Sequence, residues 1–242
     1  MSAMEMDDVM MRRLLRAASG SGRTTLECAV ACRRLLWLAG LRGASLAKRA
    51  IDVVGSSFLL VAFLPVFAVV ALAVKAEDGG PLMFAQTRVG KFGQLFKMFK
   101  FRSMCVNAEK RMAEVLAQNQ HQTGVTFKMK QDPRITKVGR WLRKLSIDEL
   151  PQLYNVLIGD MSLVGPRPPV PREVALYTLG DRRRLEVKPG ITCFWQVGGR
   201  AELDFPQQVA LDVRYIERQS VWTDVTILFK TVPAVIGGKG AC

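Results

Sequence analysis

"VVGSSFLLVAFLPVFAVVALAV", residues 53–74, contains no charged side chain and is bounded by Lys48, Arg49 and Asp52 before it and Lys75 after it. As a straight helix it would extend roughly 33 Å, enough to cross the hydrocarbon of a bilayer. A helix buried in the core of a soluble domain accounts for it poorly, because such helices rarely run apolar on every face for that length. Pro65 lies near the middle of the run, where it removes a backbone hydrogen bond and crowds the preceding turn, so a bend is expected at Leu64-Pro65. Arg33, Arg34, Arg42, Lys48 and Arg49 precede the run, and Arg88, Lys91, Lys97, Lys100 and Arg102 follow it. The positive-inside tendency would hold both flanks in the cytoplasm. A re-entrant helix that enters, kinks and returns to the same leaflet satisfies both signals, whereas a tilted, kinked span is the competing topology.

The rest of the composition narrows the chemistry. The 242 residues carry 35 Lys and Arg against 21 Asp and Glu, a formal charge of +14. Such a surface meets nucleic acid, lipid headgroups or phosphorylated substrates, unless it is merely well solvated. A single histidine, His121, excludes a histidine triad or a multi-histidine metal site, so catalysis falls to carboxylates. The five scattered cysteines form no CxxC pair and fit a reducing compartment.

In chain order, residues 1–45 read as a basic extension. It carries "LECAVACRRLLWLAG" as a possible short amphipathic helix and lacks the apolar and small-residue pattern of a signal peptide. The membrane helix occupies 46–75. Residues 76–242 read as a compact, mixed, mostly helical α+β globule on the cytoplasmic side. Its opening "MFAQTRVGKFGQLFKMFKFRSM", 83–104, alternates around Gly90 and Gly93 as a short hairpin. Helical patterns follow at about 105–120, 137–145, 151–159 and 206–218. The ending "SVWTDVTILFKTVPAVI" places Trp222, Val225, Leu228, Phe229 and Val232 at helical spacing, suited to the headgroup plane or to packing on the core.

"SIDELPQL", 146–153, seats Asp148 beside Glu149 in this basic chain. One reading is a capping box with Ser146 as N-cap and Glu149 reaching back. The other starts a helix at Pro151, leaving both acids just outside a helix N-terminus, where a phosphate is also favoured. Arg134, Lys137, Arg140, Arg143 and Lys144 lie upstream, with Asp160, Arg167 and Arg172 downstream. Carboxylates among guanidinium groups are expected to keep depressed pKa values, which suits a nucleophile or a magnesium ligand better than a general acid. The GPRPP turn presents Arg167 from a rigid loop, a geometry suited to gripping a phosphate.

"KRAIDVV…FLPVF", "GGPLMFAQTRVGKFGQLFKMFKFRSM", "DPRITKVGRWLRKLSIDELPQLYNVLIGDMSLVGPRPPVPRE" and "VKPGITCFWQVGGR" together resemble, in order and over about 46–242, the bacterial sugar transferase family of monotopic phosphoglycosyl transferases. The resemblance implies transfer of a sugar-1-phosphate from a UDP-sugar to undecaprenyl phosphate, with magnesium, releasing UMP. It also implies the cytoplasmic face of the bacterial inner membrane as the place of that transfer. It implies Asp148 and Glu149 as the catalytic dyad and metal ligands, with Asp148 carrying a covalent phosphosugar. Arg143 and Arg167 are then phosphate clamps, Lys97, Lys100 and Arg102 are helpers, and Leu64-Pro65 is the membrane-helix break. Glucose or galactose is the expected sugar, since the ending resembles the exopolysaccharide-initiating branch. Anionic lipids are expected partners and nucleic acid is not, while a homo-oligomer is compatible with the sequence. Cys193 stands where the family customarily has glycine, which would alter the local turn if that glycine has positive φ. Two other classes stay open at this stage: a glycosyltransferase releasing UDP, for which no DxD-type motif is found, and a membrane-anchored basic adaptor without catalysis.

Overall fold

The computed structural model describes residues 20–108, 110–111, 132–198 and 203–237. His121 and most of the segment expected to be helical at 105–120 fall outside them; the described start of that segment forms turns. By residue contacts the chain divides into Met1–Lys48 and Arg49–Cys242. Helix α1, Gly20–Ala62, is far longer than the short amphipathic helix expected near its start. No proline interrupts it, and a glycine such as Gly43 costs a helix interior only about 1 kcal/mol.

Helix α2, Leu64–Asp78, follows after Phe63, whose φ of −91° and ψ of 5° set the break, with Pro65 in the first turn. Gly43–Ala62 and Leu64–Asp78 meet at a bend of 58°. No single helix among the described residues is long and apolar enough to cross a membrane, and only this bent pair has the length and composition together. Its two faces differ. Asp52 and Ser56 are buried, as are Val70 and Val74, while Val54, Phe58, Val61, Leu64, Val69 and Leu72 are all 58–73% exposed. The apolar run is therefore half packed and half bare, which a core helix is not.

Polar side chains fasten α1 to the globule. The Asp52 carboxylate accepts from Ser162 Oγ and Leu163 N, each at 2.9 Å. Arg49 donates to the Val156 and Leu157 carbonyls at 2.6 and 2.7 Å, satisfying the last turn of α4, Gln152–Ile158.

The expected hairpin is present as β1, Met83–Val89, antiparallel to β2, Leu95–Phe101. Its register pairs Arg88 with Phe96, Gln86 with Met98 and Phe84 with Lys100. Because side chains alternate, Gln86, Arg88, Met98 and Lys100 share one face. Helix α3, Lys137–Lys144, is capped by Thr136, whose hydroxyl accepts from Gly139 N. After α4, a parallel pair forms between β3, Ser162–Val164, and β4, Gly190–Thr192. The short helix α5, Pro171–Val174, lies between them in the chain. The pair runs into a backbone-to-backbone contact where a Cβ on Gly190 would lie 2.0 Å from Gly165 N. Helices α6, Phe194–Gly198, α7, Phe205–Glu217, and α8, Val221–Ile236, complete an α+β, mostly helical fold.

The larger core cluster joins Met98, Leu153, Val156, Met161, Leu163, Val164, Tyr215 and Ile227. A smaller one joins Val70, Val74, Phe101 and Leu142. Helix α8 buries Asp224 and Ile227 while Trp222, Phe229 and Val232 stay exposed, so it packs on the core with one face and leaves an apolar face outward.

Candidate active site

Helix α3 ends at Lys144, and the chain reverses through Ser146, which has φ 55°, into a 3-10 turn over Ile147–Glu149. The Ser146 side chain makes no capping bond, so the capping box is not formed. Pro151, at φ −62°, instead opens α4, as the alternative reading expected. Ile147 packs against the cluster of Val70, Val74, Phe101 and Leu142 and anchors the turn. Asp148 and Glu149 thus sit on a turn held between two helices.

The two carboxylates differ in state. Asp148 is 6% exposed. Burial pushes its pKa above 3.8, Lys100 pulls it down, the Glu149 charge pushes it up and Arg143 pulls it down, with burial prevailing. Glu149 ion-pairs with Lys100 at 2.7 Å. Burial raises its pKa too, but Lys100, then Arg167 and Arg88, outweigh that and hold it below its ordinary value. The expectation of two depressed carboxylates therefore holds for Glu149 and is corrected for Asp148, because depth in the protein counts for more there than nearby cations.

Glu149 lines a pocket with Arg88, Lys100, Gln152, Arg167 and Gln196, together with Met98, Gly190 and Ile191. Arg167 projects from the GPRPP turn, which is pinned by Val89 N to Pro169 O and Gly190 N to Pro166 O, both 2.9 Å, and by Arg88 Nη1 to Pro168 O at 2.8 Å. Arg143 flanks the dyad from α3, its Nε donating to Ser103 Oγ at 3.1 Å.

Two expected helpers lie elsewhere. Lys97 is exposed on the opposite face of β2 from Lys100, with its Nζ on Thr87 Oγ1 at 2.8 Å. Arg102 is committed to the Asp78 carboxylate through both Nη atoms and to Pro81 O through Nε, fixing the end of α2 to the hairpin rather than facing the pocket. Conversely, Arg88, Gln152 and Gln196 are pocket residues that the sequence reading did not single out. For Arg88 the available signal was face parity, since it points with Lys100 once the hairpin register is known.

Cys193 is fully buried and is not among the positive-φ residues, so the backbone here adopts a conformation open to any side chain. Its thiol donates to Gln196 Oε1 at 3.3 Å. Burial, then the neighbouring Asp212, pushes its pKa well above 9, which makes it unreactive.

No group of three or more His, Cys, Asp or Glu residues among those described could hold a metal ion by itself. Two adjacent carboxylates do fit magnesium, which binds through one or two such groups and takes its remaining ligands from water and substrate phosphate.

The chain matches the family model described as bacterial sugar transferase over residues 43–238. It is 48% identical over 199 residues to the galactosyl transferase CpsE of Streptococcus agalactiae, covering 81% of this chain and 43% of the relative. It is 43% identical to the undecaprenyl-phosphate galactose phosphotransferase of Salmonella typhimurium, covering 83% of this chain and 42% of the relative. The chain thus spans less than half the length of these two proteins. It is also 41% identical to the exopolysaccharide production protein ExoY of Rhizobium meliloti, covering 81% of this chain and 88% of that one. The family match takes in the bent helix pair, the dyad turn and the pocket wall alike, and this chain belongs to the bacterial sugar transferase family.

Proposed function

We propose that the protein transfers a hexose-1-phosphate from a UDP-sugar to undecaprenyl phosphate at the cytoplasmic face of the bacterial inner membrane, as an initiating step of exopolysaccharide or glycan assembly. The observation that carries this reading is a carboxylate pair on a turn whose adjoining pocket wall presents Arg88, Lys100 and Arg167. That arrangement suits two phosphate-bearing substrates used in succession, and the Salmonella relative's name supplies undecaprenyl phosphate as the class of acceptor and a hexose as the group transferred. Glucose or galactose is the proposed sugar, galactose being the one named in the Salmonella relative.

In the proposed sequence an Asp148 carboxylate oxygen attacks the sugar-bearing phosphorus of the donor. The bond from that phosphorus to the bridging oxygen breaks and UMP departs with the electron pair, leaving a phosphosugar on Asp148. An oxygen of undecaprenyl phosphate then attacks the same phosphorus and returns the carboxylate, giving undecaprenyl-diphosphate-sugar. Splitting the displacement lets a water-borne and a lipid-borne substrate share one site. Burial strengthens Asp148 as a nucleophile, since a carboxylate that is harder to ionise is the better electron-pair donor once ionised. Lys100, Arg143 and Arg167 orient and neutralise phosphate oxygens, where positioning and charge account for most of phosphoryl-transfer catalysis, and Glu149 assists the acceptor phosphate or the metal. Asp148 and Glu149 would hold a magnesium ion, which when bound neutralises further phosphate charge. The bare face of the bent helix pair and the outward Trp222 and Phe229 of α8 are the surfaces proposed to lie among lipids, with the basic flanks on anionic headgroups.

Nucleotide release and protein mass test the reading together. UMP as product, a mass gain of one phosphosugar on Asp148 with donor alone, and loss of both in a folded Asp148→Asn variant are expected. Release of UDP would reject the reaction class, and an adduct on Glu149 would reassign the nucleophile.

A further inference from the structure

Four arginines are buried among the described residues: Arg88, Arg102, Arg134 and Arg184. Three have a carboxylate in contact. Arg102 pairs with Asp78, Arg134 with Asp132 at 2.6 Å, and Arg184 with Asp212 at 2.6 Å. Arg88, only 6% exposed, has none. Its Nη1 donates to the Pro168 carbonyl at 2.8 Å and its Nη2 to the Gln86 amide oxygen at 2.6 Å, both neutral acceptors, while its Nε has no partner. Its nearest acids are engaged elsewhere: Glu149 by Lys100, and Glu173 by Val170 N at 3.1 Å. Arg167 stands close enough to repel it.

A buried charge without a counterion is costly, and folded proteins pair such charges. Here the unpaired one lies in the pocket wall, where three cations meet a single carboxylate. We propose that Arg88 is the counter-charge of a substrate phosphate, left without a carboxylate partner so that the bound phosphate completes the pair. The inference rests on the phosphoglycosyl-transfer reading and extends it to a residue that also positions Arg167, since Arg88 grips the carbonyl of the very next residue. Both proposed substrates bring phosphate, as donor diphosphate or as lipid phosphate.

The test uses the full chain in nanodiscs, titrated separately with UDP and with a short-chain polyprenyl phosphate, in wild type, Arg88→Gln and Arg88→Lys. Arg88→Gln is expected to weaken one of the two ligands by at least about 30-fold, the size of effect seen when one partner of a buried charge pair is removed. The ligand that weakens identifies the source of the phosphate. Arg88→Lys, which keeps the charge but not the planar fork, is expected to weaken the same ligand, by less than Arg88→Gln does. Equal affinities for both ligands in wild type and folded Arg88→Gln overturn the proposal. So does a folded Arg88→Lys variant whose affinities for both ligands equal those of wild type, and that result stands even if Arg88→Gln does not fold. Wild-type protein that binds neither ligand overturns the functional reading itself.

Discussion

Asp148 and Glu149 are neighbours in sequence and opposites in environment, and the difference has a pH signature. Because Asp148 is pushed above 3.8, it takes up a proton at a higher pH than an ordinary aspartate, and the nucleophile role proposed for it would be lost there. The acid limb of kcat/KM for UDP-sugar should therefore lie above the usual aspartate range and disappear as a distinct ionisation from any residual activity of Asp148→Asn. A limb at or below 3.8 would show that burial does not control this carboxylate. The pair itself was legible in "SIDELPQL", together with Arg143, Lys100 and Arg167. Its split ionisation was not, because desolvation depends on what the fold stacks over a side chain and a run of neighbouring arginines pointed the other way. Arg88 was hidden for a related reason: it reads as one more basic residue after the apolar run until the Arg88–Phe96 register turns it inward.

At the scale of elements, helix α3 crosses the chain at Ser103 with no room to spare. A Cβ on Gly139 would lie 2.0 Å from the Ser103 carbonyl oxygen. Gly139→Ala should destabilise by about 3 kcal/mol in denaturant unfolding and lower turnover, since it pushes Arg143 off Ser103 Oγ. An unfolding midpoint equal to wild type would mean that α3 can slide freely. The helix break makes a second case. Pro65→Ala restores the amide that Val61 O lacks, so spin labels at positions 50 and 76 should move apart as the 58° bend relaxes. An unchanged separation would assign the bend to packing of α1 and α2 on the globule. The bend and hairpin were readable because proline and alternating residues act locally. The parallel pairing of Ser162–Val164 with Gly190–Thr192 was not, since strands of three residues leave no periodicity and join segments far apart in the chain.

For the whole molecule, charge and bare apolar surface act together. With a formal charge of +14, the protein should bind vesicles containing anionic lipid more tightly than zwitterionic ones, with the difference shrinking from low to high salt. Equal binding to both in sedimentation would leave only the apolar face as the attachment. The hydrogen bonds of Arg49 and Asp52 give that attachment a mechanical side. One grips the closing carbonyls of α4, the helix that begins just after the dyad turn, and the other holds the backbone of β3. On the proposed membrane placement no slack separates the greasy rod from the dyad turn, so thinning or thickening the bilayer would reach that turn as a load. Turnover would then respond to lipid chain length as a lever responds to its fulcrum.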